Sequence, residues 1–221
     1  MRTRASTTQA WLLQKVPLAN DDTLLTFLTK DLGKIKVFAT KLQRSKKKVA
    51  ELDYFRWLEL ELAQPKQSFK LKNVRTLTDF SPSMVDYYRL ELGFEALENT
   101  ARFCPEEKAM PDIVQLLHEL LTLKSLPLTH LSVYFNTKLL WFSGVLPRFD
   151  TLRGDVWVDP STLIFTSTPQ TEGLALSNHQ RQLLEWFRRC EAKDLLDKYE
   201  DFAEHDLAIL QAFLNAVIKN H

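Results

Sequence analysis

The chain has 221 residues, of which 45% are hydrophobic, and its formal net charge is +1. This length is enough for one large domain or two small ones with a buried core, which excludes a disordered tail. The charge is unevenly divided, because residues 1–80 carry sixteen Lys and Arg against eight Asp and Glu, whereas residues 81–221 carry thirteen against twenty. The basic half is expected to meet an anionic partner, although two ordinary domains with different solvated surfaces would give the same totals.

Several function classes lack their signatures. No apolar run approaches the about 20 residues of a membrane span, and the basic N-terminus lacks a signal-peptide core, so we expect a cytoplasmic protein without membrane contact. Cys104 and Cys190 are isolated and the five histidines lack metal-ligand spacing, which predicts no metal and no cofactor. Glycine-rich phosphate loops and the common hydrolase and kinase motifs are absent, so a non-enzymatic role is expected.

Residues 11–80 show the two-residue period of β-strands. An apolar run at residues 11–16 precedes a loop, the segment DTLLTFLT, the turn DLGK and the segment IKVFAT, which together predict a strand followed by a hairpin. After the basic loop RSKKK come LDYFRWLELEL, a turn at Pro65, and SFKLKNV with RTLTDF as one or two strands. About five strands in about seventy residues predict a small closed barrel such as an OB-fold.

Beyond residue 80 the period becomes helical. Ser81 is the predicted N-cap of a first helix, with Pro82 at its first helical position. Further helices are predicted after Pro111, after Pro127, over LSNHQRQLLEWFRRC and over AKDLLDKYEDFAEHDLAILQAFLNAVIKN, with an irregular insertion at residues 147–175. The predicted fold class is therefore two-domain α+β, with a barrel at residues 1–80 and an all-α helical domain at residues 81–221.

Alternation along two predicted strands brings cations and aromatic rings onto one face. Lys34, Lys36 and Phe38 lie opposite the apolar residues of KIKVFATK, and Phe55 and Trp57 lie opposite the leucines of LDYFRWLELEL. Proteins that hold single strands combine a cationic groove with rings on which bases stack, each ring contributing about 1–3 kcal/mol. The sequence thus predicts a nucleic-acid surface whose candidate residues are Lys34, Lys36, Phe38, Lys41, Arg44, Lys46, Lys47, Lys48, Phe55, Arg56 and Trp57.

Other interpretations of these residues remain open. Phe55 and Trp57 can pack against the helices that follow the barrel, and a lysine run often only keeps a strand edge soluble. The basic barrel can also dock an acidic protein partner, which would make the chain a non-enzymatic adaptor. A hydrolase or transferase with an unfamiliar site in residues 147–175 is a third class.

Several motifs of this sequence resemble the bacterial recombination mediator family RecO. They are WLLQKVP at residues 11–17, D-x-L-L-x-x-L-T-K-x-L-G-K at 22–34, RSKKK at 44–48, L-x-x-F at 52–55, YYRLEL at 87–92 and FSGVLPRF at 142–149. Lys41 stands where the family commonly has glycine before the basic loop. The four zinc-binding cysteines of many members and the family's basic C-terminal segment are both missing.

The resemblance implies a non-enzymatic mediator of DNA repair and recombination. RecO-like proteins bind single- and double-stranded DNA, anneal complementary strands, bind RecR and help to load RecA onto DNA coated by single-stranded-DNA-binding protein. The implied partners are therefore DNA, RecR and, as a further candidate, the single-stranded-DNA-binding protein. No zinc is implied, because the family's cysteines are absent.

Overall fold

The computed structural model describes residues 4–64, 68–149, 153–169 and 173–221. The chain forms two compact units, Met1–Thr122 and Leu123–His221. The first contains a closed barrel followed by helices and the second is mainly helical, which confirms the predicted α+β class. The change from strands to helices falls at residue 80, and the first two helices after it belong to the same compact unit as the barrel.

Five strands form the barrel: β1 Arg4–Pro17, β2 Thr23–Thr29, β3 Gly33–Ala39, β4 Arg56–Gln64 and β5 Phe69–Asp79. Their order is β1-β2-β3-β5-β4, and β1 closes the barrel because it pairs with both β2 and β4. Only β3 and β5 are parallel, through the pairs Val37–Phe69 and Phe38–Lys70. This topology agrees with the predicted OB-fold. The predicted turn at Pro65 lies outside the described residues.

Alternating apolar side chains fill the barrel. In β3, Ile35, Val37 and Ala39 are buried, whereas Lys36 and Phe38 are exposed. Each fully buried leucine or phenylalanine contributes about 1.5–3 kcal/mol relative to its exposed state. The other large core residues come from β1, β2, β4 and β5, and include Leu12, Leu25, Phe27, Leu58, Leu60, Leu62 and Val74.

The basic run between β3 and β4 forms a short helix, α1 (Lys46–Glu51), where a loop was predicted. Ser45 caps this helix, since its side chain accepts a hydrogen bond from the Lys48 backbone N–H at 3.4 Å. Leu42 and Leu52 flank α1 and insert into the barrel core. α1 is therefore anchored to the barrel at both ends, which holds the backbone of its three lysines in place.

Two helices complete the first unit: α2 (Tyr87–Phe103) and α3 (Pro111–Thr122). The predicted N-cap of α2 is wrong, because α2 begins after Asp86, whose side chain accepts from the Arg89 backbone N–H at 3.0 Å. Ser81–Ser83 instead form a short 3-10 helix. α3 begins at Pro111, the predicted position.

The second unit contains α4 (Leu128–Phe142), α5 (Asn178–Arg189), α6 (Ala192–Lys198) and α7 (Glu204–Asn220). α4 is its central helix, because every residue from 130 to 140 is buried. The single long helix predicted at the end of the chain is interrupted after α6 by a 3-10 helix at Tyr199–Asp201. No helix in the described ranges is long and apolar enough to cross a membrane.

The predicted irregular insertion contains a small sheet. Its strands are β6 (Val156–Val158), β7 (Phe165–Thr166) and β8 (Leu174–Leu176), in the order β7-β6-β8. The buried guanidinium of Arg181 donates to the carbonyl oxygens of Gly154 and Phe149, which fixes the segment before β6. Residues 150–152 and 170–172 of the insertion lie outside the described residues.

Candidate nucleic-acid interface

Trp57, one of the two rings predicted to stack on bases, is buried inside the first unit. Only 8% of its surface is exposed. Its ring lies 5.1 Å from the ring of Trp11 and 4.7 Å from that of His118 on α3, measured between centroids. Trp11 is itself tied to α3, because its indole N–H donates to the Val114 carbonyl at 3.4 Å. Trp57 therefore packs against α3, and its assignment to the interface is corrected.

Phe55 is buried as well, against α2. Its backbone has a φ of 60°, and only 4% of the residue is exposed. The ring packs on Phe94 with 5.0 Å between centroids, and a Cβ at Gly93 would come within 2.7 Å of it. Gly93 thus makes room for the Phe55 ring. Of the two interpretations left open by the sequence, the structure supports packing on the helices for both aromatic residues.

Two predicted cations, Lys34 and Arg56, already form hydrogen bonds or an ion pair inside the first unit. The Lys34 ammonium donates to the Ala101 carbonyl of α2 at 2.7 Å. The Arg56 side chain is 21% exposed, and its guanidinium contacts the Asp79 carboxylate at 3.0 Å and the Ala50 carbonyl. A phosphate that binds Lys34 or Arg56 would therefore compete with these contacts inside the first unit.

Lys36 and Arg44 form ion pairs that remain open to solvent. Lys36 lies 2.7 Å from Glu106 and Arg44 lies 3.0 Å from Asp21, and the two cationic side chains are 55% and 66% exposed. The hydrogen bond from Lys36 lowers the pKa of the Glu106 carboxyl. Exposed ion pairs contribute only about 0–1 kcal/mol, so a phosphate can replace the carboxylate in either pair.

Lys41, Lys46, Lys47 and Lys48 form no ion pair with any carboxylate among the residues that the structure describes. Lys41, Lys46 and Lys47 are exposed and Lys48 is half-buried. Lys41 has a φ of 50°, which lies in the left-handed region that favours glycine, the residue that the resembled family commonly has at this position. These four lysines are the predicted cations that have no carboxylate partner among the described residues, whereas Lys36 and Arg44 would first have to leave theirs.

The sequence interpretation missed two further exposed lysines of the barrel. Lys70 and Lys72 are exposed on β5, and Lys70 pairs with Phe38 across the parallel β3–β5 ladder. Phe38 is 40% exposed. The alternation in SFKLKNV could have identified both lysines. We call the following residues the cationic surface: Phe38, Lys41, Lys46, Lys47, Lys48, Lys70 and Lys72.

The cationic surface has the components needed to bind a polyanion. Six ammonium groups can each contact one phosphate, and six contacts correspond to a slope of about −4 in log K against log salt for a single strand. The exposed ring of Phe38 offers one stacking platform. Within the described part of the chain, no group of His, Cys, Asp and Glu residues is placed to hold a metal ion.

The relatives found by comparison with known proteins share one name. No family model matches the chain. A Dehalococcoides mccartyi protein named DNA repair protein RecO is 32% identical over 146 residues, which make up 64% of this chain and 57% of that protein. The protein of the same name from a second strain is 32% identical over 147 residues. A Nocardioides protein of that name is 29% identical over 111 residues, or 49% of this chain and 45% of that protein.

The matched region spans 57% of the length of the Dehalococcoides relatives. The similarity therefore concerns only part of those proteins. It agrees with the motifs at residues 11–55 and with the barrel followed by helices. These relatives, which carry the name DNA repair protein RecO, together with the motifs and the fold, support membership of the RecO family.

Proposed function

We propose that this chain is a recombination mediator in DNA repair that binds single- and double-stranded DNA through the cationic surface. The observation that carries the proposal is a set of six lysines on the barrel and on α1 that form no ion pair among the described residues, together with the exposed ring of Phe38, which pairs with Lys70 across the β3–β5 ladder. The similarity to proteins named DNA repair protein RecO supports the cellular role. In this proposal the chain performs no chemistry on DNA and works in the cytoplasm.

The proposed mechanism is electrostatic. Lysines displace counterions from the phosphates of two strands at once, which lowers the repulsion between the strands and lets complementary bases meet. α1 supports this role because Ser45 and the buried Leu42 and Leu52 hold its backbone in place, while Lys46 and Lys47 are exposed and Lys48 is half-buried. Stacking on Phe38 then adds affinity for unpaired bases without sequence preference.

The proposed partners follow from membership of the family. The chain binds RecR and helps to load RecA onto DNA coated by the single-stranded-DNA-binding protein, which is a further candidate partner. The barrel geometry supports only the DNA contact, so DNA binding and partner binding require separate tests.

The first experiment measures fluorescence anisotropy of labelled single-stranded, duplex and tailed DNA at two salt concentrations. We expect binding to all three that weakens steeply with salt, because phosphate contacts dominate. Binding of an acidic protein with no affinity for DNA near physiological salt would favour the adaptor alternative instead. Annealing of complementary labelled strands, with and without RecR, then tests the mediator role directly.

A further inference from the structure

One side of α2 carries aromatic and acidic side chains in a single stripe. Residues 87, 91, 94 and 98 are spaced by four, three and four positions, which places them on the same side of the helix. This side forms a groove of about 450 Å³. The residues that line the groove are Tyr87, Leu90, Glu91, Phe94, Glu95 and Glu98.

The apolar residues at this end of α2 are unusually exposed. Val85 is 86% exposed, Tyr87 68%, Tyr88 65% and Phe94 42%. The rings of Tyr87 and Tyr88 meet edge to face with 5.4 Å between centroids. Scattered exposed apolar residues are ordinary, but a contiguous group bordered by polar side chains is typical of a protein interaction surface. Tyrosine is also among the residues that most often anchor such interfaces.

Phe94, which lines the groove, is held by contacts with two other aromatic rings. Phe94 packs on Tyr54 with 5.2 Å between centroids and on the buried Phe55 with 5.0 Å. Gly93 leaves room for the Phe55 ring on which Phe94 packs, because a Cβ there would lie 2.7 Å from that ring. The groove therefore keeps its shape without a ligand, so an incoming segment need not reorganise it.

The charge of the groove selects the occupant. Glu91 and Glu98 are both exposed. In the stripe, Glu91 lies between Tyr87 and Phe94, and Glu98 follows Phe94. These carboxylates repel nucleic acid and anionic membranes, and they attract Lys and Arg side chains. We propose that this groove docks a segment of a partner protein that carries basic residues among apolar ones at helical spacing. This site is separate from the cationic surface and does not depend on DNA binding.

The test uses the full chain and a labelled amphipathic peptide with leucines and lysines at helical spacing. A second peptide has glutamates in place of the lysines. Saturable binding of the lysine peptide is expected in fluorescence anisotropy, with binding of the glutamate peptide at least about tenfold weaker. Tyr87→Ala combined with Tyr88→Ala should weaken binding by about tenfold or more, because exposed rings are removed without opening the core.

A milder variant tests the charge. Glu91→Gln with Glu98→Gln should weaken the lysine peptide about threefold to tenfold, the effect of two exposed ion pairs. Asp197→Asn with Asp201→Asn is the matched control, since it makes the same charge change at exposed positions of the second unit and should leave affinity unchanged. All variants should retain DNA binding, which separates this proposal from the DNA-binding proposal.

Three outcomes would overturn the proposal. They are equal affinity for the two peptides, an equal loss in the control variant, and no saturable binding of the lysine peptide. A reversible dimer in sedimentation velocity that the double tyrosine variant abolishes would also contradict it, because the groove would then hold a second copy of the chain.

Discussion

Replacing Lys46, Lys47 and Lys48 together by alanine removes half of the ammonium groups of the cationic surface. The three lysines lie on α1 and form no ion pair among the described residues, so no carboxylate is left without its partner. Alanine has the highest helix propensity, and the buried Leu42 and Leu52 still anchor α1. We therefore expect the variant to fold normally, as circular dichroism can check.

The magnitude follows from counterion release. Each phosphate contact to a single strand releases about 0.7 counterions, which at about 0.1 M salt corresponds to about 1 kcal/mol. Loss of three contacts should reduce the slope of log K against log salt by about 2 and weaken binding about 100-fold at that salt concentration. Fluorescence anisotropy with a labelled oligonucleotide over a series of salt concentrations measures both quantities.

A matched control uses lysines of the second unit. Lys193, Lys198 and Lys219 are exposed, and replacing them by alanine removes the same total charge. If α1 contacts phosphates, the control should keep the wild-type slope. An unchanged slope in the α1 variant, or an equal change in both variants, would refute the reasoning.

Four further predictions concern single residues. Phe38→Ala should weaken single-strand binding by about 1–3 kcal/mol and duplex binding much less, because only unpaired bases stack, and anisotropy with both DNA forms tests this. Trp57→Ala should lower the free energy of unfolding by about 3–5 kcal/mol in a denaturant titration, with no specific loss of DNA affinity while the protein remains folded. Gly33→Ala should cost about 2 kcal/mol or more in the same titration, because φ is +74° there and the Cβ would lie 2.1 Å from the Lys108 carbonyl oxygen. Burial lowers the pKa of His118, so the unfolded chain binds more protons below about pH 6.5. Stability should be fully present above that pH and decline as pH falls towards the folded-state pKa, and His118→Phe should flatten this decline in urea titrations.

Alternation was sufficient to predict most of the barrel. β3 and parts of β4 and β5 carry apolar side chains at every second position, whereas β2 is buried along nearly its whole length. The first half of β1 escaped prediction because its sequence, RASTTQ, offers few apolar residues to mark the period. α1 was not predicted because its run of lysines shows no apolar period of 3.6 residues, although Ser45 before KKKVAE is a typical N-cap.

The candidate site shows where local patterns stop being informative. Alternation correctly placed Trp57 opposite the barrel leucines, whereas Phe55 lies in the turn before β4 with a φ of 60°, and alternation carries no information about what covers either ring. Contacts distant in sequence decide this, since His118 packs on Trp57 and Phe94 packs on Phe55. The same applies to Lys34, whose hydrogen bond to Ala101 joins residues 67 positions apart.

The most direct test of the cationic surface is lysine footprinting by acetylation, read by mass spectrometry with and without a single-stranded oligonucleotide. Binding through this surface predicts that DNA protects Lys46, Lys47, Lys48 and Lys70, while Lys193 and Lys198 react equally in both states. Protection confined to lysines of the second unit, or no protection at saturating DNA, would contradict the assignment of DNA binding to the barrel.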